Sequence, residues 1–252
     1  MRILTLLLIA SVAFTQPRWS ASRILTELLN PLFPQMIIGI VGSVSPASGG
    51  TTWAYVSHMY GLTTDHDTVT TSAGSCGGAN VITAVVTMYS KDPGTVAISN
   101  TSGSVWHLAV SNFPSGGDGV AIWYTDAKAL SGSETVTGTL STSYLSIYAE
   151  CHSGGPVSGA LDQTATGVAS GANCQSSSIT PSQANTLVIA GASSATTLTI
   201  DSSYTMTDNS GGVGGTSEGG GIAYLLQTAA SATQPTISGG GISFCAIASL
   251  KH

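Results

Sequence analysis

The stretch ANVITAVV at residues 79–86 decides the fold, because it recurs as ANTLVIAG at residues 184–191. Both copies are short runs rich in apolar and β-branched residues, which predicts buried strands. The neighbouring runs recur in the same order, at offsets of about 100 to 105 residues that loop-length variation allows. The recurring pairs are TVAIS (95–99) with TLTID (197–201), GVAIWY (119–124) with GIAYLL (221–226), TVTG (135–138) with PTIS (235–238), and YLSIYAE (144–150) with FCAIASL (244–250).

This repetition predicts an all-β, internally duplicated β-sandwich over residues 36–252, jelly-roll-like in topology. Helical periodicity is nearly absent after residue 36, and the strand-like runs are separated by Gly, Ser, Asn and Pro. Each half offers about five strands, so packing the halves together buries both apolar faces. The predicted halves are about 76–151 and 184–250, with a connector at 152–183 and one or two extra strands within 36–78.

The N-terminus has the pattern of an export signal. Arg2 precedes an apolar run of twelve residues at 3–14, which is too short to span a bilayer. We expect a signal peptide at residues 1–22 and a linker at 23–35, although residues 1–35 also fit non-native sequence upstream of Met36. A second apolar patch at 24–41 contains one Glu and two Pro residues, so no stable membrane insertion of the mature chain is predicted.

Composition narrows the classes of partner. Only 7% of residues are charged while 42% are hydrophobic, so the polar surface must consist mainly of Ser, Thr, Asn and Gln, as is common in secreted bacterial β-proteins. From Ile24 onward three lysines, Lys91, Lys128 and Lys251, stand against twelve acidic residues, which gives a net charge of −9. Nucleic acid and anionic membranes are therefore poor candidates, and a secreted, extracellular or cell-surface location is predicted.

The four cysteines are compatible with three disulfide pairings. None has C-x-x-C spacing, which argues against a zinc site. Cys151 and Cys174 flank one loop region and are the predicted pair, while Cys245 falls in a predicted strand and is a candidate buried free thiol.

The motif CHSGGP at 151–156 resembles both the SGGP run of serine proteases and the G-x-S-x-G elbow of esterases. A protease-like triad would combine Ser153 with His58 and Asp92. However, Cys151 and His152 occupy the positions where the protease motif needs a glycine and an acidic residue. The residues after Ser153 cannot continue as a helix, as the esterase elbow requires. We interpret the motif as a turn and keep a hydrolase of polysaccharide, ester or peptide bonds as the alternative.

Residue types indicate two further kinds of candidate site. Asp65, His66 and Asp67, with His58, offer carboxylates to calcium or imidazoles to a transition metal, and the competing interpretation is a solvated loop. No cofactor is otherwise predicted. Glycoside hydrolysis would need two converging carboxylates, and the candidates Asp118, Glu134 and Asp201 have no spacing that predicts convergence.

Aromatic residues are the candidates for contact with a sugar face. Trp123 and Tyr124 are adjacent in one strand and must point to opposite faces, whereas Tyr144 and Tyr148 share a face. The competing interpretation is ordinary core packing. The predicted ligand-binding set is Trp106, Trp123, Tyr124, Tyr144 and Tyr148, and Trp53 and Tyr55 are also candidates.

The chain resembles secreted bacterial Ser/Gly-rich β-sandwich proteins of unassigned function, jelly-roll or immunoglobulin-like in fold. The resemblance covers most of residues 76–250 and implies a secreted sandwich with no transferable catalytic residues. The segments that resemble this group are SNTSGSVWHLAV (99–110), GVAIWYTDAKALSGSETVTGTLS (119–141), YAECHSG (148–154), LDQTATG (161–167), SITPSQANTLVIAG (178–191) and TIDSSYTMTD (199–208).

The sequence thus predicts a secreted, non-catalytic module with a structural, adhesive or glycan-contact role. Its expected partners are a glycan or further copies of itself, joined through strand edges. Asn100-Thr101-Ser102 is a sequon that has meaning only in a glycosylating host.

Overall fold

The computed structural model describes residues 52–62, 68–114, 117–140, 144–156, 158–212 and 219–252, which form sixteen strands and one 3-10 turn at Pro93–Thr95. The predicted signal peptide and linker lie outside these residues. None of the helices in the described ranges is long and apolar enough to cross a membrane. The first eight strands are β1 Ala54–Leu62, β2 Thr68–Thr70, β3 Val81–Tyr89, β4 Ala97–Asn100, β5 Trp106–Asn112, β6 Asp118–Thr125, β7 Val136–Thr139 and β8 Leu145–Ser153. The second eight are β9 Leu161–Ser170, β10 Asn173–Gln175, β11 Thr186–Ser194, β12 Thr199–Ile200, β13 Thr205–Ser210, β14 Gly219–Gln227, β15 Thr236–Ser238 and β16 Ile242–Leu250.

The strand order confirms the duplication. The first eight strands form a five-stranded sheet, β1-β8-β3-β6-β5, and a three-stranded sheet, β2-β7-β4. Adding eight to each label gives β9-β16-β11-β14-β13 and β10-β15-β12, which are the two parts of the eight-stranded sheet. The parts are joined because β10 pairs with β9, whereas β2 does not pair with β1. We call strands β1–β8 the first repeat and β9–β16 the second repeat.

Each repeat has a jelly-roll-like order. A jelly roll arranges eight strands in two sheets, with strands 1-8-3-6 in one sheet and 2-7-4-5 in the other. Here the fifth strand of each repeat pairs with the sixth instead of the fourth, in β5 with β6 and in β13 with β14. The larger sheet of each repeat therefore has five strands and the smaller one three.

Three apolar clusters separate four layers of strands. One cluster lies between the two five-stranded arrangements and joins the repeats through residues such as Val85, Tyr148 and Ile189. The other two lie within each repeat, between its five-stranded and three-stranded parts. β3 and β11 are buried along almost their whole length because both their faces are covered. This explains why the two deciding stretches are continuous apolar runs instead of alternating ones.

The strand pairing corrects the alignment of the two repeats by one residue. Thr83 of β3 pairs with Glu150, and Leu187 of β11 pairs with Leu250, which matches Glu150 at an offset of 100. Thr83 is therefore equivalent to Leu187, at an offset of 104 instead of the 105 predicted from the letters. A shift of one residue would exchange the two faces of the strand, so the letter-based alignment of this pair was wrong.

The two repeats pack face to face with approximate two-fold symmetry. β3 of the first repeat packs on β11, its equivalent in the second. The contact of β1 with β13 has its counterpart in the contact of β5 with β9. At the centre, Gly191 of β11 lies against Val85 of β3, and a Cβ atom at Gly191 would lie 2.5 Å from a methyl carbon of Val85. The absence of a side chain at Gly191 allows the two central strands to approach closely.

The predicted disulfide between Cys151 and Cys174 was wrong. Cys151 bonds to Cys76, and Cys174 bonds to Cys245, so the predicted free thiol at Cys245 is also incorrect. The physical reason is strand direction: Cys151 faces the inner core of the first repeat, whereas Cys174 faces that of the second. Each disulfide thus closes its own repeat.

The predicted connector also needs correction. Residues 152–183 contain β9 and β10, which begin the second repeat. The motif CHSGGP is only partly a turn, since Cys151 to Ser153 complete β8. The turn starts at Gly154, which has a φ of +98°. A Cβ atom at this position would lie 2.8 Å from the Thr52 carbonyl oxygen. Both the backbone conformation and this close approach require glycine.

Candidate functional site

A group of polar and aromatic side chains lies between the repeats, at the end where β1 and β8 pack near β13 and β14. We call it the inter-repeat cluster. Side chains of β8 alternate, so those that share a face with Tyr148 point toward the second repeat. Glu150 and His152 are on this face and are both fully buried. The cluster consists of Trp53, Tyr55, His58, Glu150, His152, Thr207, Asp208 and Tyr224.

Glu150 and His152 form the buried centre of the cluster. Nε2 of His152 lies 3.0 Å from Oε2 of Glu150. The hydroxyl of Thr207, on β13, donates to the other carboxylate oxygen of Glu150. A buried carboxylate is tolerated only with such partners, because leaving it unpaired carries a large desolvation penalty.

Two further polar contacts link the repeats at the same end. Nδ1 of His58 lies 2.6 Å from Oδ2 of Asp208, and the Tyr148 hydroxyl bonds to the Ser210 hydroxyl. The His58 side chain is 46% exposed, whereas that of Asp208 is only 10% exposed, so the cluster extends from the interior to the surface. Burial raises the pKa of Asp208, and the charge of Glu150 raises it further, while His58 opposes both effects.

Aromatic rings enclose the His152 imidazole. Its centroid lies 6.4 Å from the ring of Trp53, 6.1 Å from that of Tyr55 and 5.8 Å from that of Tyr224. Tyr55 and Tyr224 stack on each other with centroids 5.0 Å apart and ring planes 5° from parallel. Burial, followed by the charge of Glu150 and smaller contributions from Tyr224 and Asp208, raises the pKa of Tyr55 to about 12. Tyr55 is therefore a neutral phenol at physiological pH.

Two polar atoms in the cluster have no hydrogen-bond partner among the described residues. They are Nε1 of Trp53 and Nδ1 of His152, and both are buried. Most buried polar side-chain atoms in proteins are paired with protein or water, so these two unpaired atoms, which we call the orphan atoms, need an explanation.

The duplication supplies an internal comparison for the cluster. Glu150 pairs with His58 of β1, and its equivalent Leu250 pairs with Leu161 of β9. The same place in the second repeat is thus occupied by two leucines, and Leu250 belongs to the apolar core between the repeats. The fold does not require a carboxylate at the place of Glu150, because it forms with leucine at the equivalent place.

Strand irregularities occur in the cluster, as they do where β11 pairs with β16, β16 with β9, and β5 with β6. β1 has a register shift between Tyr55 and Ser57, and β13 has one between Met206 and Asp208. In β13 the shift falls at Thr207, the residue that donates to Glu150. Such bulges re-aim side chains and are common beside functional sites.

The structure does not bring together the triad Ser153, His58 and Asp92. Ser153 pairs with Ala54, four residues along β1 from His58. Asp92 lies beyond the far end of β3, where its side chain accepts from the Gly94 amide and the Ser111 hydroxyl. The imidazole of His58 is bonded to Asp208 instead. Ser153 therefore has neither the base nor the acid that nucleophilic catalysis needs at hydrogen-bond distance.

The candidate metal residues Asp65, His66 and Asp67 lie outside the described residues. His58, the fourth candidate, binds Asp208. In the part of the chain that the structure describes, no group of three or more His, Cys, Asp or Glu side chains is placed to hold a metal ion.

The predicted aromatic set is distributed over several environments instead of one binding face. Tyr148 and Tyr124 lie in the core between the repeats. Trp106 and Trp123 are half-buried against the core of the first repeat, and their indole nitrogens donate to Asn100 Oδ1 and the Pro93 carbonyl oxygen. Tyr144 packs edge-on to Tyr89. The stacked pair consists of Tyr55, which the sequence indicates as a candidate, and Tyr224, which it does not indicate.

The sequon asparagine has a structural role. The Asn100 side chain is buried, and its nitrogen donates to the Glu134 carboxylate at 3.0 Å. Glu134 also accepts from the amide and hydroxyl groups of Ser102 and Ser131. Burial alone would raise the pKa of Glu134, but these hydrogen bonds outweigh it and lower the pKa to about 2. Of the other carboxylate candidates, Asp118 binds Ser243 and Asp201 binds a neighbouring turn.

Sequence reasoning missed most of the inter-repeat cluster, although one signal was present. Glu150 ends the apolar run YLSIYAE and His152 follows two residues later, and a glutamate is rarely buried in a strand unless it is paired. Thr207, Asp208 and Tyr224 had no comparable signal, because they reach the cluster only through packing of the second repeat.

Comparison of the chain with known protein families, curated proteins and solved structures found no match.

Proposed function

We propose that the chain is an exported, extracellular β-sandwich module with a structural or adhesive role and no catalytic one. The observation that carries this proposal is that each repeat has its own disulfide, Cys76–Cys151 in the first and Cys174–Cys245 in the second. Disulfides form and persist in oxidising compartments outside the cytosol. The apolar core between the repeats then joins two covalently closed sandwiches into one body.

Self-association through a strand edge is the proposed mode of assembly. β5 is an edge strand of its sheet, and its seven residues include no Lys, Arg, Asp, Glu or Pro. Proteins that avoid edge-to-edge pairing use charges, proline or β-bulges on such strands, and of these devices β5 has only a register shift between Leu108 and Val110. Leu108 on this strand is 40% exposed, and Val105 just before it is 61% exposed. The low charge of the chain thus leaves an apolar edge that a second copy can pair with.

Light scattering coupled to size-exclusion chromatography tests this proposal over a series of protein concentrations. We expect oligomers that grow with concentration, and we expect Leu108→Lys to shift the protein toward the monomer. The matched control is Val168→Lys, because Val168 is 66% exposed but lies on β9, which is paired on both sides. Equal effects of the two substitutions would exclude the β5 edge as the contact.

A panel of ester, peptide and polysaccharide substrates tests the competing hydrolase function. We expect no turnover. Hydrolysis that is lost in Ser153→Ala would overturn the non-catalytic proposal, whatever the state of association.

A further inference from the structure

We propose that the inter-repeat cluster is a binding site for a neutral sugar, in which one sugar hydroxyl bridges Trp53 and His152 and the Tyr55–Tyr224 pair provides an apolar surface. This site is separate from the β5 edge, and the inference does not depend on self-association. Four features of the described residues support it.

The first feature is that the fold does not need the buried carboxylate for its stability. Replacing a buried charged group with a packed apolar residue is often neutral or stabilising. The second repeat shows that outcome within the same chain, with Leu250 at the place of Glu150 and in the apolar core between the repeats. A polar group retained where leucine suffices indicates a role other than folding.

The second feature is the hydrogen-bonding capacity of the two orphan atoms. Nε1 of an indole only donates. Nε2 of His152 faces the Glu150 carboxylate, and Nδ1 is an acceptor in one form of the ring and a donor in the other. The group that satisfies both atoms must accept from Trp53 and must either donate to or accept from His152. A hydroxyl group meets these requirements with either form of the ring, whereas an ammonium group cannot accept from Trp53.

The third feature is the electrostatic environment. Glu150 and Asp208 lie near enough to Tyr55 for both to disfavour its ionisation. Their negative charges disfavour an anionic ligand. The Glu150 carboxylate already binds His152 and Thr207, and the Asp208 carboxylate already binds His58, so a cationic ligand would have to displace an existing partner. A neutral polyhydroxylated ligand meets neither obstacle.

The fourth feature is access and shape. Tyr55 and Tyr224 are half-buried, and His58 is exposed, so the cluster reaches the surface along β1 and β14. Aromatic rings present apolar faces and edges to the C–H groups of a sugar while polar side chains bind its hydroxyls. The Tyr55 phenol, held neutral, can donate and accept at the same place.

NMR titration of the full chain provides the test, with the indole N–H signals of the four tryptophans as reporters. The probes are glucose, galactose, mannose, N-acetylglucosamine and glycerol, together with glucuronate as an anion and glucosamine as a cation. We expect at least one neutral sugar to shift the Trp53 signal with a Kd of about 1 mM, and the charged sugars to bind more weakly.

Matched variants separate binding from stability. Trp53→Phe keeps an aromatic ring and removes the N–H donor, so we expect about tenfold weaker binding. The control is Trp123→Phe, which removes the N–H that donates to Pro93 outside the cluster and should leave the affinity unchanged. Tyr224→Ala, which removes half of the stacked pair, should also weaken binding, and circular dichroism checks that each variant is folded.

Two results would overturn the inference. If no neutral probe shifts the Trp53 signal, the orphan atoms are bridged by an ordered water only, and the cluster is not a sugar site. If a sugar binds but Trp53→Phe and Trp123→Phe have equal effects, the binding site lies elsewhere on the chain. Neither result bears on the disulfide-closed module or on the β5 edge, which are tested separately.

Discussion

Glu150 and Leu250 occupy equivalent places in the two repeats. Each is fully or almost fully buried, and each pairs with the central strand of its own repeat, Glu150 with Thr83 and Leu250 with Leu187. One place nevertheless contains a carboxylate bonded to His152 and Thr207, and the other contains an aliphatic side chain in the apolar core. The second repeat therefore provides an internal comparison for the energetic role of the buried Glu150 carboxylate.

The double variant Glu150→Leu with His152→Leu should remain folded. We expect its free energy of unfolding to stay within about 1 kcal/mol of that of the native protein or to exceed it, because the desolvation cost of the pair disappears. Glu150→Leu alone should destabilise by about 3 kcal/mol, since it leaves the buried imidazole unpaired. Urea denaturation of the native protein, the double variant and the single variant measures these free energies of unfolding. If the double variant is as unstable as the single one, the pair stabilises the fold and the internal comparison fails.

Each disulfide should make its own contribution to the free energy of unfolding. Replacing Cys76 and Cys151 with Ala, or Cys174 and Cys245 with Ala, should each lower the free energy of unfolding by about 3–5 kcal/mol, because each bond closes a long loop in the unfolded chain. The sequence separations are 75 and 71 residues, so the two losses should be similar. Mass spectrometry of non-reduced peptides provides the direct test of the pairing. A peptide linking Cys151 to Cys174 would contradict the structure.

The contact between the central strands should be sensitive to a single methyl group. In Gly191→Ala the new Cβ would lie 2.5 Å from a methyl carbon of Val85, well inside the usual packing distance. We expect a loss of about 1–3 kcal/mol in thermal or urea unfolding. Val85→Ala in the same chain should recover part of that loss.

Gly132→Ala is the control for the same measurement, because an added Cβ there meets no atom within 4 Å. Its effect should stay within about 0.5 kcal/mol. Equal effects at Gly191 and Gly132 would show that the repeats do not approach closely at β3 and β11.

Protonation of Glu134 should make the protein less stable at low pH. Its pKa is lowered to about 2 in the folded state, against an ordinary value near 4.5, because hydrogen bonds from Ser102, Ser131 and Asn100 outweigh the effect of burial. The folded state thus binds the proton less tightly than the unfolded state does. The stabilisation is present above the ordinary pKa and is lost as the pH falls toward 2.

Urea denaturation between neutral pH and pH 2 measures this dependence. Glu134→Gln should be less stable than the native protein at neutral pH and should lose less of its stability on acidification. A native protein and a variant with parallel pH profiles would show that Glu134 does not carry the effect.

The site could be predicted from sequence only in part. Tyr55 was an aromatic candidate and His58 a polar one, but they were assigned to different kinds of site. His58 reaches Asp208, 150 residues away, and Glu150 reaches Thr207, 57 residues away. Nothing local in the sequence encodes such contacts, since they depend on which strand of one repeat packs on which strand of the other.

The sequence by itself determined the strand-forming segments, the absence of helical periodicity and the duplication, because these depend on local side-chain period and on order along the chain. It did not determine the polar strand β9, whose Thr, Ala and Gly residues alternate without a strong apolar signal. Only the tertiary structure decided the partner of Cys151, the one-residue register between the repeats and the assembly of the inter-repeat cluster. The physical reason is that each of these depends on the direction in which a side chain leaves its strand, and one residue of shift reverses that direction.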